Sequence, residues 1–207
     1  FLNAYPMPTP GYNLSNNNWT FDDVQEPRQR KDTLRIDFAP SARHQITLRG
    51  SLYNWKQLDA FRSGFQFART DWDRPNKSAA LSWLWTLSPG TLNEMTVGYA
   101  KDTVRIPVYT GDGQYDRTRY GINYPYLFPG KEIENKVPTV QIGQLTNPID
   151  GGPYPASSAG PIYTFSDTLT HLRGRHTLKV GAYVEYSGED DFDQINVQAN
   201  LPGDTNN

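Results

Sequence analysis

Apolar and polar residues alternate with period two in three separate stretches of the chain, and each stretch is broken once by a short turn. From Thr33 to Trp55, Leu34, Ile36 and Phe38 share one side while Arg35 and Asp37 share the other. The pattern reverses at Pro40-Ser41-Ala42-Arg43 and returns with Ile46, Leu48 and Leu52 against Gln45, Thr47, Arg49 and Ser51. From Lys77 to Val104, Ala79, Leu81, Trp83, Trp85 and Leu87 oppose Ala80, Ser82, Leu84 and Thr86. After Ser88-Pro89-Gly90, Met95, Val97 and Tyr99 oppose Glu94, Thr96 and Gly98. From Ile162 to Tyr186, Tyr163, Phe165 and Leu169 alternate with Thr164, Ser166, Thr168 and Thr170. Beyond Arg173-Gly174-Arg175, Leu178, Val180, Ala182, Val184 and Tyr186 alternate with Thr177, Lys179, Gly181, Tyr183 and Glu185. Residues of one strand face project every second position, so this pattern predicts three antiparallel hairpins, at about 33–55, 77–104 and 162–186. A weaker strand is expected over Trp19–Gln25, giving seven crossings, and a short one over Val137–Ile142 within a loop hairpin.

Long polar segments separate the hairpins, at about 57–76, 105–160 and 187–207, where Tyr, Pro, Gly and charged residues replace the alternation. Tight turns on one rim and long excursions on the other are the organisation of an outer-membrane barrel. Alternation alone fits a soluble β-sandwich equally, with the apolar face as its core. The wet composition of the second face, aromatics near strand ends (Trp55, Trp85, Tyr99, Tyr163, Tyr186) and the length of the loops favour lipid. The predicted fold class is therefore all-β: a segment of an antiparallel up-and-down transmembrane β-barrel, with short periplasmic turns and long extracellular loops. Leu81, Trp83, Trp85, Val97, Leu178, Val180 and Val184 are the expected lipid-facing residues.

Composition narrows the picture. Only 36% of the 207 residues are hydrophobic, and no run approaches the ~18 apolar residues of a membrane-spanning helix. A barrel strand needs only ~9–11 residues with every second one apolar, so a polar composition is compatible with a membrane. The net charge of -2 gives no electrostatic argument for nucleic acid as a partner. With no cysteine, thiol nucleophiles, disulfides and Cys-ligated metals are excluded. The ragged first and last segments read as cut from something longer.

Several short motifs, in order, carry a family likeness. They are Leu2-Asn3-Ala4-Tyr5-Pro6-Met7-Pro8, Asp32-Thr33-Leu34-Arg35-Ile36-Asp37-Phe38, and Leu87-Ser88-Pro89-Gly90-Thr91-Leu92-Asn93-Glu94 with Gly98. Tyr120-Gly121-Ile122-Asn123 follows, then Ser166-Asp167-Thr168-Leu169-Thr170 with Gly174-Arg175-His176-Thr177-Leu178-Lys179-Val180-Gly181. In this order and spacing the chain resembles the barrel portion of TonB-dependent outer-membrane receptors of the Oar-like group, which carry a carboxypeptidase-regulatory-like domain. The resemblance implies a place in the bacterial outer membrane, a much larger barrel of which this is a part, and a plug domain that these residues do not contain. It implies uptake of a small nutrient driven by the TonB system through that plug, with outer-membrane lipid and other envelope proteins as surroundings. A structural or docking subunit of an envelope complex, and a soluble carbohydrate-binding sandwich, are the alternatives.

Candidate chemistry is sparse. No Gly-x-Ser-x-Gly elbow, phosphate loop or His pair at metal-ligand spacing occurs, so neither an enzyme nor a cofactor is expected. Glu189-Asp190-Asp191-Phe192-Asp193 reads as a solvated acidic loop, with a calcium site as the alternative. Tyr115, Arg117, Arg119, Tyr120, Tyr124 and Tyr126 are the candidate ligand-contact residues, because aromatic and basic side chains interleaved on a long loop suit flat or sugar-like ligands. Loop-on-loop packing is the competing reading of the same residues.

Overall fold

In the computed structural model, which describes residues 1–11, 18–62, 64–123, 135–142, 146–194 and 198–201, the alternating stretches form three long hairpins side by side. They are β1 (Arg28–Ser41) with β2 (His44–Asp59), β3 (Thr70–Ser88) with β4 (Thr91–Ile106), and β6 (Ala156–Arg173) with β7 (His176–Ser187). Between β4 and β6 lies the short strand β5 (Thr139–Ile142); β8 (Asp190–Asp193) and β9 (Gln198–Leu201) follow β7. The main sheet runs β1-β2-β3-β4-β6-β7 with every neighbouring pair antiparallel, and β8 adds to the far end of β6. The sheet is open: β1 and β7 each have one neighbour among the described residues.

Register, not only alternation, sorts the side chains. Ile36, Leu48, Leu81, Val97, Phe165 and Val184 form one continuous cross-strand row. Ile46, Trp83 and Met95 form the row below it, and Gly50, Ala79, Tyr99, Tyr163 and Tyr186 the row above. All seven residues expected to face lipid thus lie on a single face. That face stays open to the surroundings; Leu34, Leu52, Val180 and Tyr186 are 59–69% exposed, so no second layer among the described residues covers them. The opposite face carries Arg35 and Asp37 (2.7 Å), Thr47 donating to Asp37 (2.7 Å), and Ser82 against Thr96 (3.0 Å).

Two aromatic groups bound the apolar rows. Tyr99, Tyr163 and Tyr186 follow one another at 5.2 and 6.3 Å between ring centroids. Toward the tight turns, Trp83 and Trp85 stack at 5.6 Å, and Trp83 Nε1 donates to His44 Nδ1 at 3.1 Å. From Leu178 to Tyr186 the strand covers roughly 27 Å at ~3.4 Å per residue. At a tilt of ~40° that is about 20 Å along a membrane normal, near the ~25 Å apolar band of such barrels.

The structure departs from the sequence expectation in three places. Trp19–Gln25 forms no strand; its aromatic residues pack on a loop instead (Trp19 on Phe65 at 5.3 Å, Phe21 on Phe61 at 5.7 Å), leaving six long crossings. The ladders run deep into the polar segment expected as loop from 57 to 76, reaching Asp59 and resuming at Thr70. Above a bilayer both faces of a strand are wet, so alternation fades while backbone pairing continues. The acidic run is a strand edge, with Asp190 to Asp193 paired to Ala159 to Ala156.

Candidate functional site at the long-loop rim

The three tight turns lie at one rim, and the connections 60–69 and 107–155 meet at the other. β3 and β6, at 19 and 18 residues, are far longer than the ~9–11 residues a crossing needs. Their extra length carries the loops away from the apolar rows. There the loops build a small core of their own. Phe67, Ala68, Val108, Val137, Val140 and Ile149 are all at most 4% exposed, and Ala4 from the N-terminal segment joins them.

Local sequence explains how this core closes. Val140 and Ile149 exchange backbone hydrogen bonds at 2.8 and 3.0 Å, which sets these two positions side by side, and β9 lies parallel against β5. Gly152, at φ 58°, turns the chain beneath Arg62, and its N–H donates to Asp150 Oδ1 at 2.8 Å. Arg62 then pairs with Asp150 (3.4 Å), donates to the Ala68 carbonyl (2.9 Å) and lies 4.7 Å over the Tyr154 ring. Arg69 joins three segments: it contacts Asp112 at 2.6 Å and Asp23 at 3.0 Å, with Tyr109 beneath its guanidinium at 5.1 Å. An aromatic series, Tyr5–Phe65–Phe67–Tyr120, links the N-terminal segment to both loops at 5.3 to 5.9 Å.

The candidate ligand-contact residues sit inside this framework. Asp116 caps the short 3-10 helix Arg117–Tyr120, accepting from the Thr118 hydroxyl (2.7 Å), the Thr118 N–H (2.9 Å) and Asn135 Nδ2 (2.7 Å). The Thr118 bonds, then Asn135 and the nearby Arg117 charge, hold the Asp116 carboxyl below the usual carboxylate range. Arg117 is buried, and Tyr115 and Tyr120 are half-buried against the loop core. Tyr120 donates to Gln114 Oε1 at 2.7 Å, and burial raises its phenol above the ordinary value. Arg119 is exposed and donates to the Asp112 carbonyl at 3.0 Å. Tyr124 and Tyr126 lie outside the described residues. The structure thus brings Tyr115, Arg117 and Tyr120 together as packing residues, and leaves Arg119 facing solvent.

Sequence reasoning did not foresee the pairing of Arg62, Arg69, Asp23, Asp112 and Asp150, which crosses between segments far apart in the chain. The available signal was Phe65-Gln66-Phe67-Ala68, an apolar island in an otherwise polar loop. Among the described residues no group of three or more His, Cys, Asp or Glu side chains is arranged to hold a metal ion. The carboxylates of the acidic run alternate between the two sides of β8.

The family described as outer membrane beta barrel domain matches residues 1–205, and the chain belongs to that family. It is an all-β outer-membrane barrel protein, located in the bacterial outer membrane. Neither curated proteins nor solved structures gave a match.

Proposed function

We propose that this chain is part of the barrel of a TonB-dependent, Oar-like receptor that takes up a small nutrient. The observation that carries the reading is the ordered series of motifs from Leu2 to Gly181, now joined to membership of an outer-membrane barrel family. In this reading the apolar rows face lipid and the Arg35–Glu94–Lys179 face lines the interior. The loop rim faces outward, its packed core holding the exposed edge around Arg119 in a fixed shape for ligand contact. The open edges of β1 and β7 support a larger barrel, because an unpaired strand edge in hydrocarbon leaves N–H and C=O groups without partners. Further strands, and a plug that couples to TonB, would complete the transporter.

The denatured mass of the native polypeptide from the envelope fraction tests the first part. A mass several times 23.5 kDa is expected; a mass near that value turns the reading toward a docking or structural subunit. Competitive growth tests the second part. A strain lacking the gene should lose to its parent under at least one nutrient limitation, and the disadvantage should vanish when TonB is also deleted. Equal fitness under every limitation, or a disadvantage that persists without TonB, overturns transport.

A further inference from the structure

Just beyond the tyrosine row, the apolar face changes character. Lys77 and Lys101 are direct cross-strand partners there, one step above the Ala79–Tyr99 pair. Directly opposed like charges destabilise a sheet, yet neither lysine has a carboxylate within ion-pair distance among the described residues. Over three successive rows of β1–β4 this face gathers Arg28, Arg30, Lys56, Lys77, Lys101 and Arg105 against two carboxylates in the same rows, Asp32 and Asp73, while Arg28 also pairs with Glu26 at 3.8 Å. Asp32 is taken by Arg30 at 2.9 Å, and Asp73 is shared by Lys56 (3.5 Å) and Arg105 (3.4 Å). Asp71 stands one row further out on β3, and Asp190 lies two strands beyond Thr103. A depression of about 380 Å³ runs between Arg30, Leu52, Lys77, Lys101 and Arg105, with Asp32, engaged by Arg30, also in its wall. Lys77 Nζ stands 6.0 Å from the Tyr99 ring centroid, which holds the charge directly above the aromatic row.

We propose that this depression binds the phosphate of an anionic lipid headgroup in the outer leaflet, gripped by Lys77 and Lys101 with Arg30 and Arg105 at its sides. The inference rests on the reading of the apolar rows as the lipid face. Three observations select the occupant. The surplus of cations complements a multiply charged anion, the position immediately outside the tyrosine row is the headgroup level of a barrel, and the apolar rows below continue from the site as a path for acyl chains. Cations near a membrane surface are drawn to anionic lipid. Here the unpaired Lys77–Lys101 contact gives that attraction a fixed place.

The test uses the native full-length protein in detergent, with retained lipid measured by native mass spectrometry. The probes are a phosphorylated glycolipid, its dephosphorylated counterpart with the same acyl chains, and inorganic phosphate as competitor. The wild type should retain the phosphorylated lipid preferentially. Lys77→Gln and Lys101→Gln should each weaken it by roughly fivefold, and the pair by about 25-fold. Lys179→Gln, on the opposite face, should leave it unchanged. The substitutions relieve repulsion, so heat-modifiable gel mobility should confirm an intact barrel. If the double variant fails to assemble, the single variants and a rise in salt, which should weaken retention by the wild type, carry the same test. Equal retention of both lipids by wild type and variant overturns the phosphate site while leaving the lipid face standing. Retention of neither lipid overturns both. Displacement by inorganic phosphate at matching concentration overturns the assignment to a lipid.

Discussion

Leu81 and Val180 illustrate how much weight single residues carry on a one-sided sheet. Leu81 sits at the centre of the apolar rows, between Leu48 and Val97, whereas Val180, beside Leu169, shares the row of Trp85 near the tight-turn boundary; among the described residues nothing covers either. An arginine at the middle of a bilayer costs about 2–4 kcal/mol in a barrel. Leu81→Arg should therefore clearly reduce the fraction of heat-modifiable, folded protein in the outer membrane, and Val180→Arg, in the Trp85 row near the interface, should reduce it less, at a cost of about 0–1 kcal/mol. Normal assembly of both would move the apolar face out of lipid. Asp116 makes a different prediction, away from the membrane. Its carboxyl is held below the usual range by the bonds that close the 3-10 turn. A depressed carboxylate contributes stability that is complete above its unfolded value, ~3.9, and is lost as pH falls through the lower folded value. Protease sensitivity of the 107–155 connection should thus rise only below about pH 4, and Asp116→Asn should remove that acid step. A step centred well above pH 4 would assign the loop's acid response to another group.

The elements differ in how legible they were. Hairpins were readable because one periodic signal, apolar at every second residue, survives wherever one face meets lipid and the other water. The same physics hid the strand extensions. Asn54, Lys56, Asp71 and Asp73 lie in regular ladders, but there both faces are polar and period two carries no hydrophobic contrast. The loop core was illegible for another reason. Phe67 and Val137 lie seventy residues apart, and nothing periodic marks two buried positions that meet only when connections converge. Trp19 and Phe21 misled for that reason, since aromatic alternation in a segment that packs on Phe65 and Phe61 imitates a strand. Tyr115 and Tyr120 lie in the connection after β4, and packing against the loop core accounts for their burial. A test at this scale uses Gly151, where an added Cβ would stand 2.1 Å from the Val137 carbonyl oxygen. Backbone cannot yield there cheaply, so Gly151→Ala should separate 149–152 from the 137–140 segment. Cleavage within 107–155 should accelerate while barrel mobility on gels stays unchanged. If both change together, the loop core and the sheet form one cooperative unit rather than two.

At the scale of the whole molecule, the open sheet is the feature that demands a neighbour. Long strands such as β1 and β7 leave every second N–H and C=O pointing away from their single partner. In water such an edge invites aggregation; in hydrocarbon each unpaired group costs several kcal/mol. The six long crossings described fall short of the eight strands of the smallest bacterial barrels, so joining β1 to β7 does not cancel those groups. The edges are therefore expected to be closed by additional strands in the native outer membrane. Amide hydrogen exchange on the native protein distinguishes the cases residue by residue. With closure, all amides from Leu34 to Phe38 should be protected as strongly as those of β2 and β3. With a free edge, protection along β1 should alternate, slow where the N–H reaches β2 and fast at the positions between. Uniform protection would make the hairpins one arc of a larger wall, and alternating protection would make the edge a surface that the protein keeps for a partner.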